Sequence, residues 1–284
     1  MSNAKFASAF ARVNRAEKQI EELDAKANAF FETKPYEFFP ELNPEGTEEA
    51  WKVRLNKPIP EDIFLKTGEI LLNLRSPLDH IVCELATSHC GSSDRVCFPF
   101  GKTPQTFEKV VKEKIAGRLP PEAIELIREA KPYIGGDELL VAVHDLCNCD
   151  KHVAFVPIRK QPTTAGSFGR IAVITGSILV LGSRHGQHLL RHDGGFYAPN
   201  ISAEPTYNEE LHRIEFNFVG PPNTEDMEFL VCTPGSRFQA DYKPELNLAF
   251  DKIPVVACQP IIEALGQMRQ LVLDICSKFR DRFA

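Results

Sequence analysis

The chain has 284 residues, with 33 Lys+Arg against 39 Asp+Glu, a formal net charge of −6, and 43% apolar and 25% charged residues. These globular proportions exclude wholesale disorder and argue against coating nucleic acid through bulk charge, while leaving room for a local basic patch. The length fits one or two domains, no apolar run approaches the roughly 18 residues of a membrane span, and the N-terminal stretch lacks the apolar region of a secretory signal. The expectation is a soluble cytoplasmic protein with no membrane partner.

Residues 4–32 read as one long helix. Phe6, Val13, Ile20 and Ala27 repeat every seven residues, and Ala9, Ala16, Leu23 and Phe30 follow each by three. That is an a/d seam, suited to an intramolecular bundle or a dimeric coiled coil, and the bundle is the favoured reading. Five prolines between 34 and 60 mark a connector with at most a short strand at Trp51–Leu55. A second long helix starts near Pro60-Glu61-Asp62, and its apolar stripe runs from Ile63 to Leu85. Pro77 interrupts that stripe without changing its phase. One helix kinked at Pro77 therefore fits better than a restart with Ser76 as N-cap.

Short helices are expected near 106–116 and 121–130, and another from about 136 to 151. From there to about residue 250 the period changes to two, as in Arg213-Ile214-Glu215-Phe216-Asn217-Phe218. Val153–Val156, Ile171–Thr175, Ile178–Leu181, Met227–Val231 and Leu246–Phe250 also read as strands. Gly and Pro punctuation favours an antiparallel sheet over alternating β-α units. A last helix at 260–279 carries Ile261, Leu265, Met268, Val272, Ile275 and Phe279 on one face. Its seam should pack on the helices containing Arg75 and Phe6. The fold class is α+β: residues 1–152 and 257–284 build a helical bundle from N- and C-terminal helices, with an antiparallel β-rich insertion at 153–256.

The eight cysteines are scattered and read as reduced thiols, several of them small core residues. His89, Cys90 and Cys97 with His144, Cys147, Cys149 and His152 lack the two tight pairs of a zinc site. No metal and no cofactor is expected.

Two polar constellations carry chemistry. Leu74-Arg75-Ser76-Pro77-Leu78-Asp79-His80 sets a fixed cation, a carboxylate and an imidazole within a short span. His80 could move the proton of a ribose hydroxyl or a leaving oxygen while Arg75 holds a phosphate. Residues five apart lie about 140° apart on a straight helix, so Arg75 and His80 meet at one phosphate only through a bend at Pro77 or a second subunit. Asp79 could equally pair with Arg75 or cap the helix. In His144-Asp145-Leu146-Cys147-Asn148-Cys149-Asp150-Lys151-His152, Asp150 projects close to the apolar face and needs a partner, with Arg75, His80 or Lys151 the candidates. Asn148 and His152 share a shoulder at i, i+4. Alternatively the helix ends early and Asp150-Lys151-His152 is a polar exit turn. A third cluster, Arg184–Gly195, reads as a solvated hairpin connection, and Gly166-Ser167-Phe168-Gly169 is no phosphate loop.

Arg75-x4-His80 on a bundle helix resembles the R-x4–6-H motif of the HEPN superfamily. The wider pattern, Leu74-Arg75-Ser76-Pro77-Leu78-Asp79-His80 followed by Asn148-Cys149-Asp150-Lys151-His152, looks like a broad group of uncharacterised bacterial proteins. The HEPN likeness covers the helical parts only, residues 60–152 and 257–282. It implies a helical bundle, often dimeric, that acts as a metal-independent endoribonuclease or, where activity is lost, as a binding module. Arg75 and His80 would then be the catalytic pair, supported by Asp79, Asn148, Asp150, Lys151 and His152, with RNA and a second copy of the chain as partners. Ser76, Pro77 and the β-rich region depart from that family's pattern. The rival expectation is a non-catalytic ligand- or protein-binding module in which Arg75, Asp79, His80 and Asp150 form a buried structural network.

Overall fold

The structure is a computed structural model that describes residues 5–152, 158–175, 178–181, 206–208, 213–217, 227–232, 234–235, 237–250, 254–256 and 259–283. Among the described residues, six α-helices and eight β-strands make it an α+β protein. The chain divides into two compact units. One comprises Met1–Asn28, Pro60–Arg159 and Ala249–Ala284, the other Ala29–Ile59 and Lys160–Leu248.

The first unit is helical. Helix α1 (Ala7–Glu32) buries its heptad seam, with Ala9, Val13, Ala16 and Leu23 fully inaccessible, as is Phe6 in the turn just before it. Helix α2 (Glu61–Cys90) runs antiparallel to it. The Phe6 N–H donates to the Glu84 carboxylate, Arg12 donates to Asn73, Gln19 to Glu69, and Lys26 pairs with Asp62. At the centre of this pair, buried Asn73 donates to Gln19 at 2.7 Å and accepts from Arg12 at 2.9 Å. An apolar seam slides in register more easily than a satisfied polar pair does, so these groups key the two helices together.

Pro77 lies inside α2, which continues unbroken to Gly91. Ser76 does not restart a helix there, because its hydroxyl donates back to Leu72 O one turn earlier. Gly91 ends the helix in the left-handed region at φ 80°, its N–H bonded to Thr87 O.

Helix α3 (Pro104–Lys114) opens on a Thr103–Thr106 capping box, and α4 (Pro121–Glu129) is tied to it by Arg128 on Glu108. Helix α5 (Glu138–His152) packs on α2. Helix α6 (Ile261–Phe283) buries Ile261, Leu265, Met268, Val272 and Phe279 and packs on α2 and α5. It also lies antiparallel to α1, since Lys5 donates to Phe283 O, Arg280 stands over the Phe10 ring, and Arg269 pairs with Glu17. The C-terminal helix thus meets the helices containing Arg75 and Phe6, where matched seams have somewhere to be buried.

The second unit holds two four-stranded sheets. Their strands are β1 (Tyr36–Leu42), β2 (Glu49–Leu55), β3 (Ile158–Thr175), β4 (Ile178–Leu181), β5 (Thr206–Asn208), β6 (Arg213–Asn217), β7 (Met227–Cys232) and β8 (Arg237–Phe250). The orders are β1-β2-β7-β4 and β5-β6-β3-β8. The pairs β1–β2, β2–β7, β4–β7, β3–β6 and β5–β6 are antiparallel.

The proline-rich connector of the sequence reading is in fact a seven-residue-per-strand hairpin belonging to this unit. Its turn is closed by Asn43, whose carbonyl side chain accepts from Thr47 N and Glu48 N. Pro40 is tolerated because β1 is an edge strand, where one face of the ladder needs no donor. The segments Val153–Val156 and Arg184–Gly195 lie outside the described residues.

Candidate functional site

The first constellation folds around Arg75, which is 7% exposed in the middle of α2. Each of its three nitrogens has a polar neighbour. Nε donates to His144 Nδ1 at 3.2 Å, and Nη2 donates to Phe98 O at 3.3 Å. Nη1 lies 2.9 Å from Asp79 Oδ1, one turn on. That last contact is an ion pair rather than a directed hydrogen bond, since Nη1 makes none. Asp79 Oδ1 is instead bonded by the Phe98 N–H at 2.8 Å. Arg75 and Asp79 therefore grip both backbone groups of Phe98 and hold the extended segment after α2 against the helix.

The face of the guanidinium is covered too. Its central carbon stands 4.6 Å from the centroid of the Phe100 ring, within cation–π range. Phe100 in turn stacks on His144, with ring centroids 4.1 Å apart and planes 7° from parallel. His144 reaches this position from α5, so the stack joins α2, α5 and the 98–100 segment.

The imidazole tautomer follows from the donors around it. Arginine only donates, so Nδ1 of His144 accepts and the ring proton sits on Nε2. The amide of Asn148 stands 3.0 Å from Nε2. It fits a donating Nε2 only with its oxygen turned to the ring. Asn148 is thereby spent on His144, one turn back along α5. The side chain of His152, one turn forward on the same shoulder, lies outside the described residues. The sequence reading left His144, Phe98 and Phe100 out of the site. The available signal was the i, i+4 step from His144 to Asn148; nothing in the residues Phe98-Pro99-Phe100 announced a stacking partner.

His80 does not join the cluster. Its Nδ1 is buried with no hydrogen-bond partner among the described residues. Arg75 and His80 lie on the same helix but only Arg75 is held by Phe98, Phe100 and His144. Asp79 and Arg75 do come together, as the simplest pairing required.

The helix α5 continues to His152, so Asp150 belongs to it and not to an exit turn. Its carboxylate is half-buried against Gly68 of α2: a Cβ built on Gly68 would stand 2.5 Å from Oδ2. Asp150 is also engaged in an interaction of its own. The side chains of Lys151 and His152 lie outside the described residues.

The thiols beside the cluster are not activated. Burial raises the pKa of Cys83 and Cys97, and the Asp79 carboxylate raises both further; Arg75 and Lys114 partly offset this at Cys97. Both remain thiols rather than nucleophilic thiolates near neutrality. Among the described residues no three His, Cys, Asp or Glu side chains converge in a metal-binding group, and no helix is long and apolar enough to cross a membrane. Comparison of the chain with protein-family models, with curated proteins and with solved structures gives no match.

Proposed function

We propose that this protein is a non-catalytic binding module of the cytoplasm, a helical bundle into which the β-rich residues 153–256 are inserted. Arg75, Asp79, His144 and Asn148 are its structural network. One observation carries the reading: Arg75 is buried, with Nε and Nη2 hydrogen-bonded to His144 and Phe98, Nη1 ion-paired with Asp79 and its face covered by Phe100. A guanidinium that stabilises developing charge on a phosphate needs an open edge at the substrate. Freeing one here would cost either the ion pair with Asp79 or the hydrogen bond to Phe98 O.

The HEPN-like reading, an RNA-cleaving or RNA-binding homodimer, is favoured by one feature. The buried, unpartnered Nδ1 of His80 is a polar group that a substrate hydroxyl would satisfy. The deciding experiment is incubation of single-stranded RNA with wild type, His80→Ala and Arg75→Ala in the presence of chelator. The binding module leaves RNA intact in all three. Cleavage by wild type that falls at least ~10²-fold in His80→Ala would restore the ribonuclease.

A further inference from the structure

A cleft of about 900 Å³ opens in the helical unit between the end of α4, the 130–138 loop, the start of α5 and the second half of α6. Its volume falls in the range of real ligand sites, roughly 300–1,000 Å³. Half-exposed Leu126, Leu139, Val255 and Leu271 supply an apolar floor.

The lining is acidic. Glu129, Asp137, Glu138, Asp274 and Asp281 face Lys131 and Lys278, an excess of three carboxylates. Asp137 is spent capping α5 through the Leu140 N–H, Asp274 accepts from Gln270, and Asp281 pairs with Arg280. Exposed Glu129 and Glu138 have no partner among the described residues.

The wall of the cleft is built before any partner arrives. Lys131 sits at φ 46°, and its carbonyl accepts from Tyr133 N at 2.8 Å and Asp137 N at 2.9 Å. Gly136 fits against this turn only because it lacks a side chain, since a Cβ there would stand 2.8 Å from Lys131 Cβ. Ile134 stands 56% exposed on the same loop. A preformed wall avoids the ordering cost that a flexible one would add to binding.

We infer that this cleft is the docking site for a basic amphipathic helix of a partner protein, an inference that rests on the binding-module reading. The floor takes the apolar face of such a helix, and the carboxylates take its Lys and Arg side chains. A groove walled by helices suits a helix seated by anchors at i, i+3/4 and i+7. The carboxylate excess repels a phosphate backbone, so RNA is the wrong occupant. Free Glu129 and Glu138 supply partners that the protein itself leaves unused.

The test uses the full chain and a fluorescein-labelled peptide of about 15 residues with Leu on one helical face and Lys on the other. Saturable binding is expected, weakened about tenfold or more by Glu138→Lys combined with Asp274→Lys and also weakened by Glu129→Lys alone. Glu21→Lys combined with Asp24→Lys makes the same charge change on α1 and should alter affinity less than about twofold. Circular dichroism checks that each variant is folded. Absence of saturable binding, equal loss in the α1 control, or equal binding of the peptide with Glu replacing Lys would each overturn the docking site. An oligoribonucleotide of similar length is run in parallel. Its cleavage would overturn the binding-module reading whatever the peptide does. Uncleaved RNA with an unbound peptide would overturn the docking site alone.

Discussion

Asp150 of α5 fills the space that a side chain on Gly68 of α2 would need, with a built Cβ only 2.5 Å from Oδ2. Glycine in a helix interior costs about 0.5–1 kcal/mol relative to alanine. Gly68 is therefore kept for the room it leaves, and α2 and α5 approach closely because of it. Gly68→Ala should destabilise the protein by about 1–3 kcal/mol, since the carboxylate must give up its place. In an Asp150→Ala background the same substitution should be neutral, or stabilising by about 0.5–1 kcal/mol through helix propensity. Urea denaturation of the four proteins of this double-mutant cycle measures the coupling. Stabilisation by Gly68→Ala in the wild-type background would show that the carboxylate moves aside freely.

Arg75 holds α2, α5 and the 98–100 segment at once, so its loss should be felt as stability. Arg75→Ala leaves the Asp79 carboxylate without its cation and Phe98 O without its donor, at an expected cost of about 3–5 kcal/mol. Arg75→Met keeps much of the buried volume and should cost less than Arg75→Ala. Chemical denaturation midpoints check both, and a loss under about 1 kcal/mol in Arg75→Ala would deny the network its structural role.

Burial pushes the Cys276 thiol up to about 12. A group whose folded pKa is raised contributes stability that is fully present below its unfolded pKa and lost as pH rises through the folded one. Here that window runs from the ordinary thiol value near 9 to about 12. In it, ionisation in the unfolded chain should cost wild type about 1.4 kcal/mol per pH unit that Cys276→Ala does not lose. Stability curves of the two proteins between pH 8 and about 11 should therefore converge. The same burial should slow alkylation: exposed Cys90 should react with iodoacetamide in the native state, while Cys276 and Cys147 should react only on unfolding. Mass spectrometry of the labelled peptides reads this directly.

Arg128 forks onto Glu108, with Nε and Nη2 each 2.9 Å from a carboxylate oxygen. The hydrogen bond from Arg128 is the main cause that holds the Glu108 carboxyl below its ordinary value, with burial opposing it. Both groups are largely in solvent, which screens the pair, so Arg128→Ala should cost only about 0.2–1 kcal/mol at neutral pH. Because the carboxyl is depressed, that contribution is present above its unfolded pKa and disappears as pH falls through the lowered folded value. Thermal denaturation at neutral and acidic pH, and in high salt, should show the difference between wild type and variant shrinking under both treatments.

The helical seams were legible because burial follows period. Ala9, Val13 and Leu23 on α1, Leu74 and Ile81 on α2, and Val272 and Phe279 on α6 recur at helical spacing and are all inaccessible. In the hairpin only the Trp51–Leu55 part of β2 was legible, and β1 was not, for the opposite reason. Pro40 and Pro44 read as breakers, and only the pairing of β2 with β7, distant in sequence, gives Trp51 and Ala50 a sheet to join.

The site was half legible. The chain alone set Arg75 and Asp79, four residues apart on a helix, within reach of one another, and required a partner for Asp150 if the helix extended that far. It could not determine which of Arg75's possible partners would win, because those partners come from elsewhere. Phe98 follows the end of α2, Phe100 has no periodic signature, and His144 arrives on α5. Local sequence sets which side chains can reach one another along one helix. Only the packing of α5 and the 98–100 segment on α2 decided that the guanidinium would be closed over rather than open, since desolvation and multiple hydrogen bonding are properties of the assembled neighbours and not of the motif.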